Sequence, residues 1–293
     1  MIPSSELRFA LATAADIEVI CALSNSLYAR KIAPAYVKWQ FFDCPHSPFS
    51  MLCWEDDRLI CAYGVHVIKT ESLTRAMSLD IMVAEHKQGL GLIAPLTQAA
   101  QTEAASRGAK MFSVVANDRA RHALNARLDW NVWDAISDWT GDNRVHTRAV
   151  SCLQLDCMPT RSWTNANTFY PRDADTLAWR TATPRYQHIW LEVSSIGHAV
   201  VKIFTDPVTC VGMGDILGLF PFEPKDLEMC ILSVQSWFAL AKVQQSTIYP
   251  IDQKDQPTYA QLGYASTNRP RFFCGVGLAP ANIRIGMLDV DVY

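Results

Sequence analysis

The sequence predicts a mixed α/β fold in two tandem domains, on three observations. Apolar strand-like runs alternate with segments of helical spacing along the chain. The 293 residues suffice for one large domain or two ordinary ones. A polar, proline-containing stretch, MPTRSWTNANTFYPRDAD at 158–175, interrupts the pattern near the middle. The expected division is residues 1–157, a linker at 158–168 and residues 169–293.

LRFALAT reads as the first strand. In AADIEVICALSNSLYARK, the residues Ile17, Ile20, Cys21 and Leu27 share a helical face, and Asp16 lies in the first turn, where a carboxylate is favoured. PFSMLCWEDDRLICAYGVHVIKT is broken by aspartates and an arginine into two strands of a hairpin. AMSLDIMVAE supplies the next strand. A glycine-containing turn follows, then a helix through Ser106 that stops at Gly108, a suitable left-handed cap. AKMFSVVAND reads as a strand buried on both faces. DRARHALNARL reads as a short helix, and NVWDAISDWTG with VHTRAVSCLQLDC as a closing strand pair. The second half alternates again through TLAWRTATPRYQHIWLEVSS, HAVVKIFTDP and TCVGMGDILGLF. An amphipathic helix follows at DLEMCILSVQSWFALAKV, then strands at STIYP, RPRFFCGV and GMLDVDVY. This is a repeat of architecture, not of sequence.

Composition narrows the function. Hydrophobic residues at 49% and charged residues at 19% describe a globular chain. A net charge of −3 with scattered basic residues argues against nucleic acid as a partner. No apolar run is long enough to span a bilayer, and no basic region precedes an apolar core and cleavage site at the start. A cytoplasmic location is expected. The nine cysteines are irregularly spaced, form no C-x-x-C and sit among apolar neighbours, which fits free thiols and no metal.

The stretch VAEHKQGLGLIAPLTQAA, 83–100, runs from a strand through a charged turn and two glycines into a helix. The first N–H groups of a helix lack partners and favour anions. Gly89 and Gly91 therefore make either a tight turn or a cradle for phosphate, and no G-K-[ST] follows to make it a triphosphate loop. Strand, loop, helix and Asn117 in that order favour the cradle.

DIMVAEHKQGLGL, 80–92, resembles the acyl-coenzyme-A signature of the GNAT acyltransferase superfamily: a strand, R/Q-x-x-G-x-G/A, then a helix. Here the motif reads His86-Lys87-Gln88-Gly89-Leu90-Gly91. MFSVVANDRARHALNARLDWNVW resembles the family's later strand, asparagine, short helix and turn. YVKWQFFDCPHSPFSMLCWEDDRLICAYG resembles a subset with a tryptophan-containing segment and a proline before the second strand. TLAWRTATPRY and MLDVDVY resemble the second half of tandem members, some of which acylate nucleotide-linked amino sugars. His86 replaces the usual arginine or glutamine, and Asp129 a usual glycine. Asn125 stands where many members have a tyrosine that protonates the departing thiolate.

The resemblance implies two tandem GNAT-like mixed-sheet domains, the second degenerate. It implies an acyl-CoA co-substrate, acetyl-CoA or longer, and a primary amine acceptor, closest to the amino group of a dTDP-type nucleotide sugar. Backbone N–H groups of Gln88, Gly89, Leu90, Gly91 and Leu92 would hold the pyrophosphate, with Lys87 adding charge at the rim. Val83 would offer an N–H to the thioester oxygen. Asn117 would bond the pantetheine amides or cap a helix. Asp80 is either the base that deprotonates the amine or a solvent-facing residue sharing a face with Met82 and Ala84. His66 is the alternative base or a core histidine. Asn125 would bond the thioester region but cannot act as an acid. Tyr36, Trp39 and Phe42, with Phe41, either pack in the core or stack on a base or sugar. Trp179, Arg180, Arg185 and Tyr186 suit an anionic, ring-containing substrate or make surface ion pairs. Pro221 and Pro224 stand where the second half would need a phosphate loop, so that half is expected only to close the acceptor site. Alternatives are transfer to another amine, aminoacyl-tRNA-dependent transfer, or a non-catalytic acyl-CoA-binding module.

Overall fold

The computed structural model describes residues 7–70, 73–159, 170–206, 209–249, 253–277 and 285. The chain forms β1 (Leu7–Leu11), α1 (Ile17–Leu27), α2 (Pro34–Phe41), β2 (Pro48–Glu55), β3 (Arg58–Lys69), β4 (Thr74–Val83), α3 (Ile93–Ser106), β5 (Met111–Ala116), α4 (Asp118–Leu128) and β6 (Asn131–Ile136). It continues through β7 (Trp139–Asp142), β8 (Cys152–Leu155), α5 (Ala174–Thr181), β9 (Ile189–Val193), β10 (Gly197–Thr205), β11 (Gly212–Pro221) and α6 (Leu227–Leu240). It closes with β12 (Gln245–Ile248), α7 (Gln256–Gln261), β13 (Ala265–Ser266) and β14 (Arg271–Gly277).

Two seven-stranded mixed sheets result, ordered β1-β2-β3-β4-β5-β14-β6 and β13-β7-β12-β11-β10-β9-β8. The parallel pairs are β4 with β5 and β11 with β12, each joined through a helix, as a parallel connection requires. The chain divides into two compact units. One holds the residues up to Asp134, Thr183–Arg185 and β14 from Phe272; the other holds Ala135–Ala182 and Tyr186–Arg271.

This differs from a single cut at 158–168. The expected closing strand pair is also replaced: β6 lies at the edge of the first sheet, and β7 lies inside the second. The far edge of β5 is taken by β14, whose residues pair from Phe272↔Ala116 to Gly277↔Met111. Gly275 permits this close packing, because a Cβ there would stand 2.3 Å from the Trp133 ring and 2.5 Å from the Phe112 carbonyl. Linker residues from 160 and the strand expected at GMLDVDVY lie outside the described residues.

In the first unit β3 is buried continuously from Leu59 to Ile68, the mark of a central strand covered on both faces. Ile20 of α1, Val37 and Phe41 of α2, and Leu96 and Ala100 of α3 pack with Leu52, Ile60 and Val65. Phe41 needs Gly64 beneath it, since a Cβ there would come within 2.2 Å of its ring. In the second unit Ile231, Val234 and Phe238 of α6 pack with Leu191, Val201 and Ile216. Among the described residues no helix is long and apolar enough to cross a membrane.

Candidate active site

β4 and β5 pair through only three residues each, Arg75↔Met111, Ala76↔Phe112 and Met77↔Ser113. Beyond Met77 the two strands have no mutual register, so this edge of β4 is unladdered from Ser78 to Val83. The opposite edge stays bonded to β3, down to Cys61↔Val83. The Ala84 N–H bonds the Ile60 carbonyl at 2.8 Å. Consecutive strand residues present their N–H groups to opposite edges, so Val83 turns its own N–H to the open side. The Val83 carbonyl accepts from Gln88 Nε2 at 3.2 Å, tying the next loop back to the strand.

That loop makes a 3-10 turn at Glu85–Lys87 and then passes through Gly89 and Gly91 at φ +82 and +79. Only glycine adopts such angles without strain. A Cβ at either position would meet no protein atom within 4 Å, so the loop faces open space, and Leu90 is 65% exposed. Leu92 occupies the N-cap of α3 and gives no side-chain cap. A helix start without a carboxylate or hydroxyl cap, behind two positive-φ glycines, fits a diphosphate. Lys87 is already committed. Its ammonium pairs with Glu55 at 2.6 Å, and both side chains are largely buried, so the charge expected at the rim is neutralised within the protein.

The β3–β4 register shifts from Gly64↔Leu79 to Ala62↔Met82, which sets two residues, Asp80 and Ile81, opposite Tyr63. Asp80 has φ +39. This is a β-bulge, and it re-aims the side chain. The simple alternation that grouped Asp80 with Met82 and Ala84 does not survive the inserted residue. Burial pushes the Asp80 carboxyl above the ordinary value of 3.8, while a hydrogen bond from the Gln40 side chain and the Arg185 charge partly oppose that rise. The Arg185 guanidinium lies 5.1 Å from the centre of the Tyr36 ring and donates to its hydroxyl at 3.4 Å. The Trp39 ring lies 5.4 Å from that of Tyr36. Tyr36, Trp39 and Gln40 of α2, Asp80 of β4 and Arg185 thus form one polar and aromatic group within the first unit. Phe42 instead packs against the apolar core.

The other anticipated residues do local work. His66 is fully buried. Its Nε2 lies 2.8 Å from the Gln40 carbonyl, to which it must donate, leaving Nδ1 as acceptor 3.7 Å from the Cys44 thiol. The ring therefore anchors the end of α2. Asn117 caps α4, its Oδ1 accepting from the Ala120 N–H at 2.8 Å. Asn125 Nδ2 donates to the Trp130 carbonyl at 3.0 Å, bracing the turn where Asp129 takes φ +52. Asp tolerates this left-handed angle, which explains the absent glycine. Arg180, buried in the second unit, lies 5.2 Å from the Tyr170 ring centre and 5.3 Å from that of Trp179. Tyr186 receives the Lys202 ammonium at 4.2 Å, and Lys202 pairs with Asp215 at 3.0 Å. The cysteines are free, with Cys157 and Cys210 exposed. Burial pushes the Cys61 thiol up to about 12, away from nucleophilic character. No cluster of three or more His, Cys, Asp or Glu side chains suited to a metal ion occurs among the described residues. Gln40 was not anticipated. Its only trace in the sequence is a glutamine among the aromatics of YVKWQFF.

No protein-family model and no curated protein matches the chain. Solved structures do. An acetyltransferase candidate from Pyrococcus horikoshii aligns with a TM-score of 0.66 at 12% identity, covering 98% of this chain and 95% of that one. A tandem GNAT protein from the clavulanic acid biosynthesis pathway aligns with a TM-score of 0.63 at 13% identity, covering 93% and 98%. A GCN5-related glucosamine N-acetyltransferase region of a fungal multi-domain protein aligns with a TM-score of 0.64 at 14% identity, covering 94% of this chain and 38% of that one. At such identities the likeness carries the fold: the chain is built of two GNAT-type mixed sheets in tandem.

Proposed function

We propose that the first unit transfers an acyl group from acyl-CoA to a primary amine. The observation that carries this reading is the arrangement along one strand. β4 separates from β5, bulges at Asp80, turns the Val83 N–H to the open edge, and leads into a glycine loop at an uncapped helix start.

Coenzyme A, when bound, supplies a diphosphate for anchoring and a thioester as the acyl donor. The N–H groups from Gln88 to Leu92 and the start of α3 hold the diphosphate. The open edge of β4 offers backbone partners to the amides of the pantetheine arm, and Val83 donates to the thioester oxygen as charge develops there. Asp80 takes a proton from the ammonium, a task suited to a carboxyl held above its ordinary range. Side-by-side binding supplies much of the remaining acceleration. Neither Asn125 nor a cysteine is assigned a chemical role.

The acceptor in this reading is a nucleotide-linked amino sugar of the dTDP type. Tyr36 and Trp39 suit a ring, and Arg185 beside them suits an anion. The glucosamine acetyltransferase region among the similar structures supports an amino-sugar class. The cofactor site is single and lies in the first unit, and the protein acts in the cytoplasm. One observation favours a second reading, a non-catalytic acyl-CoA-binding module: Asn125, in place of the family's tyrosine, is tied to the Trp130 carbonyl. Titration with acetyl-CoA, then thiol release with dTDP-linked amino sugars, glucosamine and simple amines, separates these. Binding with amine-dependent thiol release is expected. Binding without release favours the module, and no binding removes both.

A further inference from the structure

Gln40 carries an unanswered hydrogen-bonding atom beside the proposed base. Gln40 is 3% exposed, and hydrogen bonding from its side chain is among the influences that hold the Asp80 carboxyl down against the rise from burial. An ionised carboxylate only accepts, so Nε2 is the donor. The carbonyl Oε1 is the other arm of the same planar amide, roughly 2.3 Å from that nitrogen by standard bond lengths. Oε1 is buried and makes no hydrogen bond among the described residues. Such an atom is rare in folded proteins and costly to retain. The backbone beneath it is held in place: His66, fully buried, donates to the Gln40 carbonyl at 2.8 Å. The result is a carboxylate and an amide oxygen side by side, two acceptors on a rigid support. A primary ammonium, with three donors, matches that pair.

We propose that Gln40 Oε1 is the second ligand of the acceptor's amino group and that, with Asp80, it selects primary amines over alcohols. The proposal rests on the acyl-transfer reading above. The ammonium directs one N–H to Asp80 and another to Oε1. Asp80 takes the first proton and later passes it to solvent. The second N–H stays on Gln40 and turns the freed lone pair toward the acyl carbon. The C–N bond forms, the C–S bond breaks, and the surplus proton on nitrogen ends on the departing sulfur. An alcohol has a single O–H. Once Asp80 takes it, nothing remains for Oε1, and the buried oxygen stays unanswered in the transition state.

The test uses the full chain, acetyl-CoA as donor, and matched acceptors: glucosamine with glucose, and benzylamine with benzyl alcohol. Gln40→Met keeps the volume and removes both amide atoms, whereas Gln40→Glu keeps an acceptor in place. Gln40→Met is expected to lower kcat/KM for the amine about 30-fold. The Kd for acetyl-CoA should hold. Transfer to the hydroxyl analogue should fall less than transfer to the amine, because losing the Gln40 donor weakens the base for both while only the amine loses a ligand. The amine-over-alcohol preference therefore falls. Gln40→Glu is expected to keep amine recognition and to move the rising limb of the pH profile upward, since a second carboxylate disfavours ionisation of Asp80. Amine and alcohol transfer falling equally in Gln40→Met, or neither falling, overturns the role of Gln40 while leaving acyl transfer standing. A wild-type protein that binds acetyl-CoA and acylates no amine overturns both. Should Gln40→Met fail to fold, an unshifted pH profile in Gln40→Glu is decisive against the proposal.

Discussion

The two units build the same junction and finish it differently. In each, a strand leads through a 3-10 turn into a 14-residue helix and then into a parallel neighbour of the first strand. In each, the strand bulges before its end. β11 inserts Leu217 between Ile216↔Val201 and Gly218↔Val200, as β4 inserts Asp80 and Ile81. The first junction then uses two positive-φ glycines and a leucine cap. The second uses Phe222, Glu223 and a 3-10 turn at Pro224–Asp226, and α6 begins behind Asp226 with Glu228 in its first turn. Carboxylates there complement the helix dipole from within and repel an incoming anion. At the bulge one unit holds a carboxyl and the other a buried leucine. Scaffold and site are separable: in the proposed function, a few backbone angles and charges distinguish the junction that would receive a phosphate from the one that would not.

The comparison is most open to attack at the glycines. Gly89→Val should weaken acetyl-CoA binding by ~100-fold or more, because a β-branched residue resists φ +82 and its side chain fills the path of the anion. Melting should fall modestly, from the strain of φ +82 alone, since a Cβ there meets no protein atom within 4 Å. Glu223→Ala and Asp226→Ala, at the second junction, should leave calorimetry unchanged at one cofactor per chain. Unchanged affinity in Gly89→Val would erase the distinction between the junctions.

The bulge comes next. Asp80→Asn should cut kcat by ~100-fold and leave acetyl-CoA affinity intact. The reciprocal Leu217→Asp should add no activity and should lower the melting temperature, as it buries a carboxylate without a partner. An Asp80→Asn enzyme of full activity would strip the bulge of its chemical meaning.

A smaller effect concerns stability against pH. The folded-state pKa of Asp80 lies above its unfolded value, so the native state binds the proton more tightly. Stability from this group is therefore present at low pH and is lost as pH rises through the raised pKa. Asp80→Asn should melt higher than wild type at pH 8, and the gap should close near pH 4. A variant less stable at pH 8 would contradict the sign. The smallest effect is expected at Lys87, whose charge Glu55 already answers. Lys87→Ala should shift acetyl-CoA affinity by less than about 3-fold and stability by about 1 kcal/mol. A large loss of affinity would return Lys87 to the phosphate site.

Much of the fold was legible because periodicity and glycine punctuation are local. The hairpin of β2 and β3, the helix α3 and its glycine entrance all follow from neighbours within a few residues. Partner choice is not local. Nothing in NVWDAI says that RFFCGVG, far along the chain, will come between it and β5. The same limit hid the site details. The aim of Asp80 depends on a register shift against Tyr63, and Lys87 is neutralised by a residue two strands away. Asn117 was readable as a cap because the cap and its donor are three residues apart. Gln40 was invisible because its meaning lies in what faces it across the packing of α2 on the sheet.

The insertion of β14 between β5 and β6 bears on how the protein is made. A ribosome releases Ala116 long before Arg271, so the outer edge of β5 waits, unpaired, while the second unit is synthesised. A nascent first unit is thus a sheet with an open central edge, the kind of surface that recruits wrong strands and chaperones. A fragment ending near residue 157 should aggregate for this reason, and adding a peptide of residues 271–277 should partly rescue it. Evolution cannot shed or swap the second half of this chain as a module, because the strand that completes the first sheet is delivered at the far end of it.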